Sequence, residues 1–596
     1  MIRYLREHTS PPVFISSATI ALALVLWGVI SPSSVSAAGS AANSFIVTYF
    51  GWLYIFSASV FLIFVIVLMA SRYGRIRLGP ADSKPEYGTM SWFAMLFTAG
   101  MGIGLVYYAV SEPVTYLQEP PVGPGGTPQA AQNAMFLTFF HWGLHPWAIY
   151  IVLGLALGYF AFRKGLPLRP ASALYPLLGE RINQWPGFLV DVLAVFGTLF
   201  GLATSLGLGA QQVGAGLEAL FGLTNTTTLQ VFLILGITAI AVVSVMLGID
   251  KGIRNLSLIN LWLAFALMVF VFAFGPTRDL LNTTVTNVGY YLQNLPAQSF
   301  QTYPGNPAAQ EWQASWTLFY WGWWISWSPF VGMFLARISY GRTIRSFIAG
   351  ALFAPVGASM VWLTVFGDTA LALLLQNPTN PLAEATTDTG MFVLLQQLPV
   401  AGIVSLIASA VAIIVVVLFF ATSSDSGSLV VDILTNGGDP NPRWQQRLFW
   451  AVMEGVIAAV LLGAGAASGA DALSALQTAS ILAGLPFCLV LIAMCVGLTK
   501  AMSTERFVVR MPSQASPMPG LRAAARPAGA VFTTAGNGDR EHTGADTSDH
   551  NEPAEGSGLH EEEAVDPSLG ETTVAEFSQA HDSASSRSST TGVTTR

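Results

Sequence analysis

The sequence predicts an all-α polytopic membrane protein, and three observations carry that prediction: charge is scarce, apolar runs are long, and basic residues mark alternate connections. Only 10% of the 596 residues are charged and 53% are hydrophobic, against about 25% charged in an ordinary soluble domain. Such a surface needs a solvent as apolar as the core. A spanning helix requires roughly 20 apolar residues to cross about 30 Å of hydrocarbon. Twelve stretches meet this: 13–32, 46–70, 90–110, 134–162, 186–212, 227–249, 256–276, 313–337, 344–367, 400–422, 447–468 and 472–498. They are too long for barrel strands, and lipid leaves no partner for unpaired backbone groups, so each is expected to be helical.

The basic residues support that count. Up to residue 510, twenty lysines and arginines fall in the terminal segments and every second connection, while the other connections hold one, Arg278. Positive charge accumulates on the cytoplasmic side, so both termini are expected there, in a bacterial inner membrane. The first run, behind Arg3 and Arg6, is read as a retained helix rather than a cleaved leader. Beyond residue 510 the chain turns rich in Ser, Thr, Gly and acids, a composition expected to stay disordered. The two cysteines, Cys488 and Cys495, stand too far apart along a helix for a disulfide. Neither a nucleophile–base pair nor a metal cluster is visible in the spans, which argues against an enzyme, and nothing suggests a nucleic-acid partner.

Two spans contain sequences that oppose a plain helix. Gly100, Gly102 and Gly104 alternate in the third, each costing up to about 1 kcal/mol relative to alanine in a helix. Alternate glycines serve opposite faces, unlike the four-residue spacing of Gly197 and Gly201 that suits helix packing, so the third span is expected to unwind. The eighth carries Trp312, Trp316, Trp321, Trp323, Trp324 and Trp327. A surface belt accounts for the first of these, but the series continues deep into the bilayer. If spans three and eight are equivalent, the core divides into five-helix halves, 3–7 and 8–12, of inverted topology, with a binding site at the midplane. The corresponding segments are 1–89, 90–276, an external connector 277–312, 313–498, and a tail 499–596.

The fourth span reads HWGLHPWAIY over 141–150. Trp142, Trp147 and Tyr150 fall roughly on one side, and Pro146 is expected to kink the helix. With Trp324 they would form a box of ring faces, each attracting a cation by up to about 2 kcal/mol when desolvated. A quaternary ammonium suits such a box. His141 and His145 are read as satisfied core residues. A carboxylate on the same solute would find donors among backbone N–H groups freed at Gly100, Gly102 and Gly104. The core contains no Lys or Arg for an anion, and the glycine segment contains no acid for a cation; a zwitterion fits both. Thr422 and Ser423 end the tenth span in a hydroxyl cluster suited to a monovalent cation, with helix back-bonding as the alternative. Asp425 beside them is expected to neutralise a basic loop or helix end, with a functional role for this membrane-edge carboxylate as the alternative.

These strings together resemble the betaine–choline–carnitine transporter family over about residues 13–510. The resemblance rests on GMGIG at 100–104, SEPVTY at 111–116, SLGLGAQQVGAG at 205–216, YWGWWISWSPFVGMFLARIS at 320–339 and TSSDSGSLVVD at 422–432. It implies a LeuT-like five-plus-five inverted repeat behind two extra helices, a homotrimer, and Na⁺-coupled import of a compatible solute such as glycine betaine, ectoine or proline. Sodium is then the coupling ion, with no other cofactor. The resemblance places the ammonium cage at Trp142, Trp147, Tyr150 and Trp324, with Trp323 and Trp327 beside it, and counts Ser205 among the substrate residues. It places one sodium at Thr98, Met101, Phe419, Thr422 and Ser423. A second family site matches at Thr198 and Phe330, but Leu202 stands where a threonine is expected and cannot ligate sodium; Thr204 lies on another face. Choline-transporting members tend to carry an acid at the position of Gly104, so this chain is expected to favour zwitterions. The acidic tail lacks the basic helix of osmosensing members. A sodium-independent exchanger of the same fold, and a solute-binding osmotic sensor, remain as alternatives.

Overall fold

The computed structural model describes residues 9–100, 102–247, 250–440, 443–469 and 471–505. The acidic tail lies outside the described residues. Among them there is no strand; one isolated bridge joins Arg77 and Thr343. In chain order the principal helices are α1 Pro11–Ile30, α2 Pro32–Ala70, α3 Thr89–Gly100, α4 Ile103–Gln118, α5 Pro128–Trp142 and α6 Leu144–Gly158. Then come α7 Trp185–Phe221, α8 Thr227–Leu247, α9 Asp250–Phe274 and α10 Thr277–Gln298. The last five are α11 Phe319–Arg337, α12 Ile344–Leu363, α13 Gly402–Thr435, α14 Trp444–Ala467 and α15 Ser474–Ser503. Each of the twelve apolar stretches overlaps one or more of these helices, and nine helical segments among the described residues are long and apolar enough to cross a bilayer.

Local sequence sets the helix ends. Prolines 11, 32 and 128 occupy first-turn positions, where the missing N–H is no loss. Thr127 and Thr343 cap α5 and α12 by accepting from the N–H of Ala130 and Ser346 at 3.1 and 3.2 Å. Helix α7 stops at Gly222, whose φ of 71° is left-handed.

The interior is assembled by close approach at small residues. A Cβ at Gly197 would stand 2.7 Å from the Ser326 carbonyl oxygen, and one at Gly201 3.1 Å from the Trp327 side chain, so α7 lies directly against α11. On its other side α11 meets α6, where a Cβ at Gly332 would be 2.9 Å from Leu153. These contacts hold the tryptophan-bearing helix between the fourth and fifth spans, as expected where small residues let helices meet in lipid.

The third span, expected to unwind, and the fourth, expected to kink, both do so, while the tryptophan-bearing part of the eighth runs unbroken from Phe319 to Arg337. The third span is broken into α3 and α4, with Gly102 extended (φ −150°, ψ 177°). The break in the fourth span falls at Gly143, three residues before Pro146. A proline ring clashes with the carbonyl four residues back, here Trp142, so the disruption appears one turn upstream. Span eight enters α11 through a π-helical turn at Ala314–Leu318, and α12 continues through another at Thr364–Asp368.

Candidate binding site

The break at Gly143 leaves backbone groups that other elements use. The Leu144 N–H donates to Tyr291 Oη at 3.1 Å. The His141 carbonyl accepts from the indole Nε1 of Trp324 at 2.9 Å. The kink therefore fixes a ring of α11 against the fourth span. Trp323 is fixed from the other side, its Nε1 donating to the Gly201 carbonyl at 3.1 Å.

The rings gather accordingly. Trp142 and Trp324 meet edge-to-face at 5.0 Å, Trp147 and Tyr150 at 5.6 Å, and Tyr150 and Trp324 at 6.2 Å. Trp323 stacks on Trp324 at 4.5 Å and on Trp327 at 5.9 Å. A pocket of about 30 Å³ between them is also lined by Gly102, Gly104, Leu105, Pro146 and Ser359. Trp321 faces elsewhere, stacking on His145 at 5.4 Å. At Gly104 the backbone touches the cage: a Cβ there would lie 2.5 Å from Trp323 and 2.9 Å from Trp142.

This pocket shares Gly102, Trp327 and Val331 with a cavity of about 240 Å³ that follows α11 through Phe330 and Phe334 to Arg337, at the basic end of the molecule. On the opposite side Tyr108 covers the cage, 6.2 Å from Trp142, 5.6 Å from Tyr320 and 6.5 Å from Trp323. Tyr107 extends that cover through Gln211 (2.8 Å) to Asp471 (3.3 Å). The path is thus closed at one end and open at the basic end.

The structure brings in a group the sequence reading passed over. Glu112, fully buried on α4, accepts from Trp142 Nε1 at 2.7 Å and from Tyr320 Oη at 2.6 Å through one oxygen. Its other oxygen meets His141 Nδ1 at 2.9 Å. His141 is further held by Tyr116 Oη at 3.1 Å and Thr317 Oγ1 at 3.0 Å. A carboxylate therefore lies directly behind the cage. Its sequence signal was its place in the SEPVTY string at 111–116, just past the third apolar stretch. Trp327 Nε1, by contrast, is a buried donor without a partner among the described residues.

Phe419, Thr422 and Ser423 line the larger cavity beside Gly102. Thr422 Oγ1 donates back to the carbonyls of Leu418 and Phe419 at 2.8 and 3.3 Å. The contacts expected from Met101 and the Thr98 side chain lie outside the described residues. Asn260 of α9 also lines this cavity, an unremarked residue; with its amide oriented to satisfy both groups, it bridges the Val415 carbonyl (3.2 Å) and the Phe419 N–H (3.3 Å).

Two residues named by the resemblance, Ser205 and Thr198, turn their hydroxyls back onto their own helix, as Thr422 does. Ser205 Oγ donates to Gly201 O of its own helix at 3.1 Å and does not line the pocket. Thr198 Oγ1 likewise donates to Ala194 O at 2.9 Å. Leu202 fills the space above Gly427 on α13, contacting where a Cβ would stand. Thr204 is drawn to Leu476 O and Ser480 Oγ of α15, at 3.0 and 2.9 Å. Phe330 stacks on Trp327 at 5.8 Å. Asp425 pairs with Arg447 at 2.8 Å, the helix-end neutralisation expected of it.

Comparison with known proteins agrees with this architecture. Residues 12–507 match the BCCT, betaine/carnitine/choline family transporter, domain. The chain is 44% identical over 501 residues to the glycine betaine transporter OpuD of Bacillus subtilis (strain 168), covering 84% of this chain and 96% of that one. It is 47% identical over 497 residues to an uncharacterized transporter of Mycobacterium tuberculosis, covering 82% of each. It is 40% identical to the osmo-dependent choline transporter BetT2 of Acinetobacter baylyi, covering 84% of this chain and 72% of that one. Fold, motif order and matched length together make this chain a member of the betaine/carnitine/choline transporter family, a polytopic membrane transporter and not an enzyme.

Proposed function

We propose that the protein imports a zwitterionic compatible solute of the glycine betaine, ectoine or proline type by Na⁺ symport and alternating access. The observation that carries this reading is the gathering of Trp142, Tyr150, Trp323 and Trp324 at the broken end of α4. Ring faces there receive a quaternary nitrogen by cation–π attraction, with the Glu112 carboxylate behind Trp142 adding charge complementarity. The solute carboxylate is met at the N-terminal end of α4, where first-turn N–H groups lack helical partners, and by Trp327 Nε1. A pocket of about 30 Å³ is far below ordinary ligand volumes of roughly 300 Å³ or more, so the rings part as the solute enters. The cover that Tyr108 forms and the cavity along α11 then exchange roles.

Sodium binds at Thr422, Ser423 and the Phe419 carbonyl, with Thr98 and Met101 completing the set by family resemblance. Neutralising the free helix ends there steadies the broken span against α13. Leu202 fills what would be the second position, which favours one sodium per cycle. The basic-residue asymmetry puts the open end of the path and both termini in the cytoplasm of a bacterial inner membrane. A homotrimer follows from family resemblance and is checked by the mass of the solubilised particle.

The test is uptake of labelled glycine betaine into proteoliposomes with and without an inward Na⁺ gradient. Accumulation is expected only with the gradient, and undiminished uptake without sodium overturns the coupling. Competition by unlabelled ectoine and proline ranks the solutes.

A further inference from the structure

Helix α14 buries a carboxyl that neither the cage nor the sodium position uses. Glu454 is fully buried, and neither of its oxygens has a hydrogen-bond partner among the described residues. Facing it from α13 are Ser424, itself fully buried with an unpartnered Oγ, and Asp425. Ser424 and Asp425 follow Thr422 and Ser423 in sequence but turn to the other side of α13, away from the open cavity that Thr422 and Ser423 line. Glu454 lies ten residues inside α14 and Asp425 ten residues from the end of α13; at 1.5 Å per residue both sit about 15 Å in from the basic end.

The charges around this point do not balance. Arg447 neutralises Asp425 at 2.8 Å. The other helices packed on α14 supply no compensating cation: α1, α2 and α8 contain no charged residue. On α7, Asp191 is paired with Arg169 and Glu218 accepts from the Asn225 N–H, and on α15 Lys500 donates to the Pro176 carbonyl. Asp432 of α13, also fully buried, is held by Asn436 at 2.7 Å and feels the same arginine, so three carboxyls share one guanidinium. A buried carboxylate with no cation of its own costs several kcal/mol even with one hydroxyl beside it, and lipid offers it no water.

We infer that Glu454 and Ser424, backed by Asp425, form a binding site for one small monovalent cation, a sodium ion or a proton, between α13 and α14. Either supplies the missing charge. A sodium ion would take the carboxylate and hydroxyl oxygens as ligands; a proton would convert the carboxyl into a donor toward Ser424 Oγ. The occupant would bind α14 to the helix whose other side carries the proposed coupling site, so that its gain or loss bears on how α13 is held. The site does not depend on the cage or on the sodium assigned to Thr422.

The experiment compares purified full-length protein with Glu454→Gln and Ser424→Ala. Two readouts are taken in parallel: ²²Na⁺ bound per chain, and the infrared C=O band of a protonated carboxyl followed from mildly acidic to mildly alkaline pH. Betaine titration by tryptophan fluorescence on the same samples verifies folding and reports separately on the cage. If sodium is the occupant, Glu454→Gln loses one equivalent of ²²Na⁺ and Ser424→Ala binds it more weakly. If a proton is the occupant, the sodium count is unchanged, but a carboxyl band that responds to pH vanishes in Glu454→Gln and shifts in Ser424→Ala. An unchanged sodium count with no pH-responsive band assignable to Glu454 overturns the inference. Should Glu454→Gln fail to fold, Ser424→Ala alone decides: an unaltered sodium affinity and an unaltered band reject the site.

Discussion

Trp324 is held in two ways, by its stack on Trp323 at 4.5 Å and by its indole bond to the His141 carbonyl at 2.9 Å. Truncating it removes a cage wall worth up to about 2 kcal/mol to a desolvated cation, roughly thirtyfold in affinity. Trp324→Ala is therefore expected to weaken glycine betaine binding by about that factor in a fluorescence titration; unchanged affinity would count against the cage. Glu112 acts one layer behind. Its charge-assisted bonds to Trp142 and Tyr320 orient both rings and place negative charge near the ammonium. Glu112→Gln keeps the volume but removes the charge. Binding is expected to fall about tenfold, in keeping with about 1.5 kcal/mol for a hydrogen bond to a charged group. An uncharged isostere of betaine serves as a control: if it loses as much as betaine, Glu112 acts by orientation alone.

At the scale of helices, the functional elements are the broken ones. The gap before α4 offers helix-end donors, and the break at Gly143 frees the carbonyl that anchors Trp324. Restoring an N–H with Pro146→Ala lets the fourth span recover its ladder and draws the His141 carbonyl back into it. Betaine affinity should drop about tenfold while far-ultraviolet circular dichroism shows helix content unchanged or slightly raised. No loss of affinity would mean that the bend does not set the ring. On α13, Thr422→Ala removes the hydroxyl beside the Phe419 carbonyl and is expected to raise the sodium concentration for half-maximal uptake severalfold, with little change in betaine binding at saturating sodium. An unaltered sodium dependence argues against that position as the coupling site.

Across the whole molecule, the last described residue fastens the end of α15 to the turn after α6. Glu505 accepts from Arg163 at 2.7 and 3.0 Å, Lys164 at 2.8 Å and Tyr159 at 2.8 Å. The Arg163 guanidinium foremost, with Lys164 and Tyr159, holds its carboxyl at about 2, below its ordinary value of 4.5. Its contribution to stability is then complete above pH 4.5 and is lost as pH falls toward 2. Glu505→Gln should lower the melting temperature at neutral pH, with the difference from wild type shrinking below pH 4.5; a gap constant with pH would refute the ion-pair origin. Helices and the gathering of aromatic rings were legible in the sequence because both rest on periodicity: long apolar runs, and aromatic residues repeating at helical spacing. Glu112, Asn260 and Glu454 were not, because a single polar residue in an apolar span gives no sign of which helix it meets. The break in the fourth span was placed at Pro146 and not Gly143, since a proline's clash is felt a turn earlier. Ser205 was carried over by resemblance, and its hydroxyl turned back onto its own helix.

The bare backbone at Gly104 has a consequence for how this protein can change its diet. Both Trp323 and Trp142 occupy the volume a first side-chain carbon would claim, so no lone replacement there can be accommodated without tilting two indoles together. A charged side chain at this position would therefore reshape the ring cluster and change the local charge in one step, so the two effects could not be selected separately.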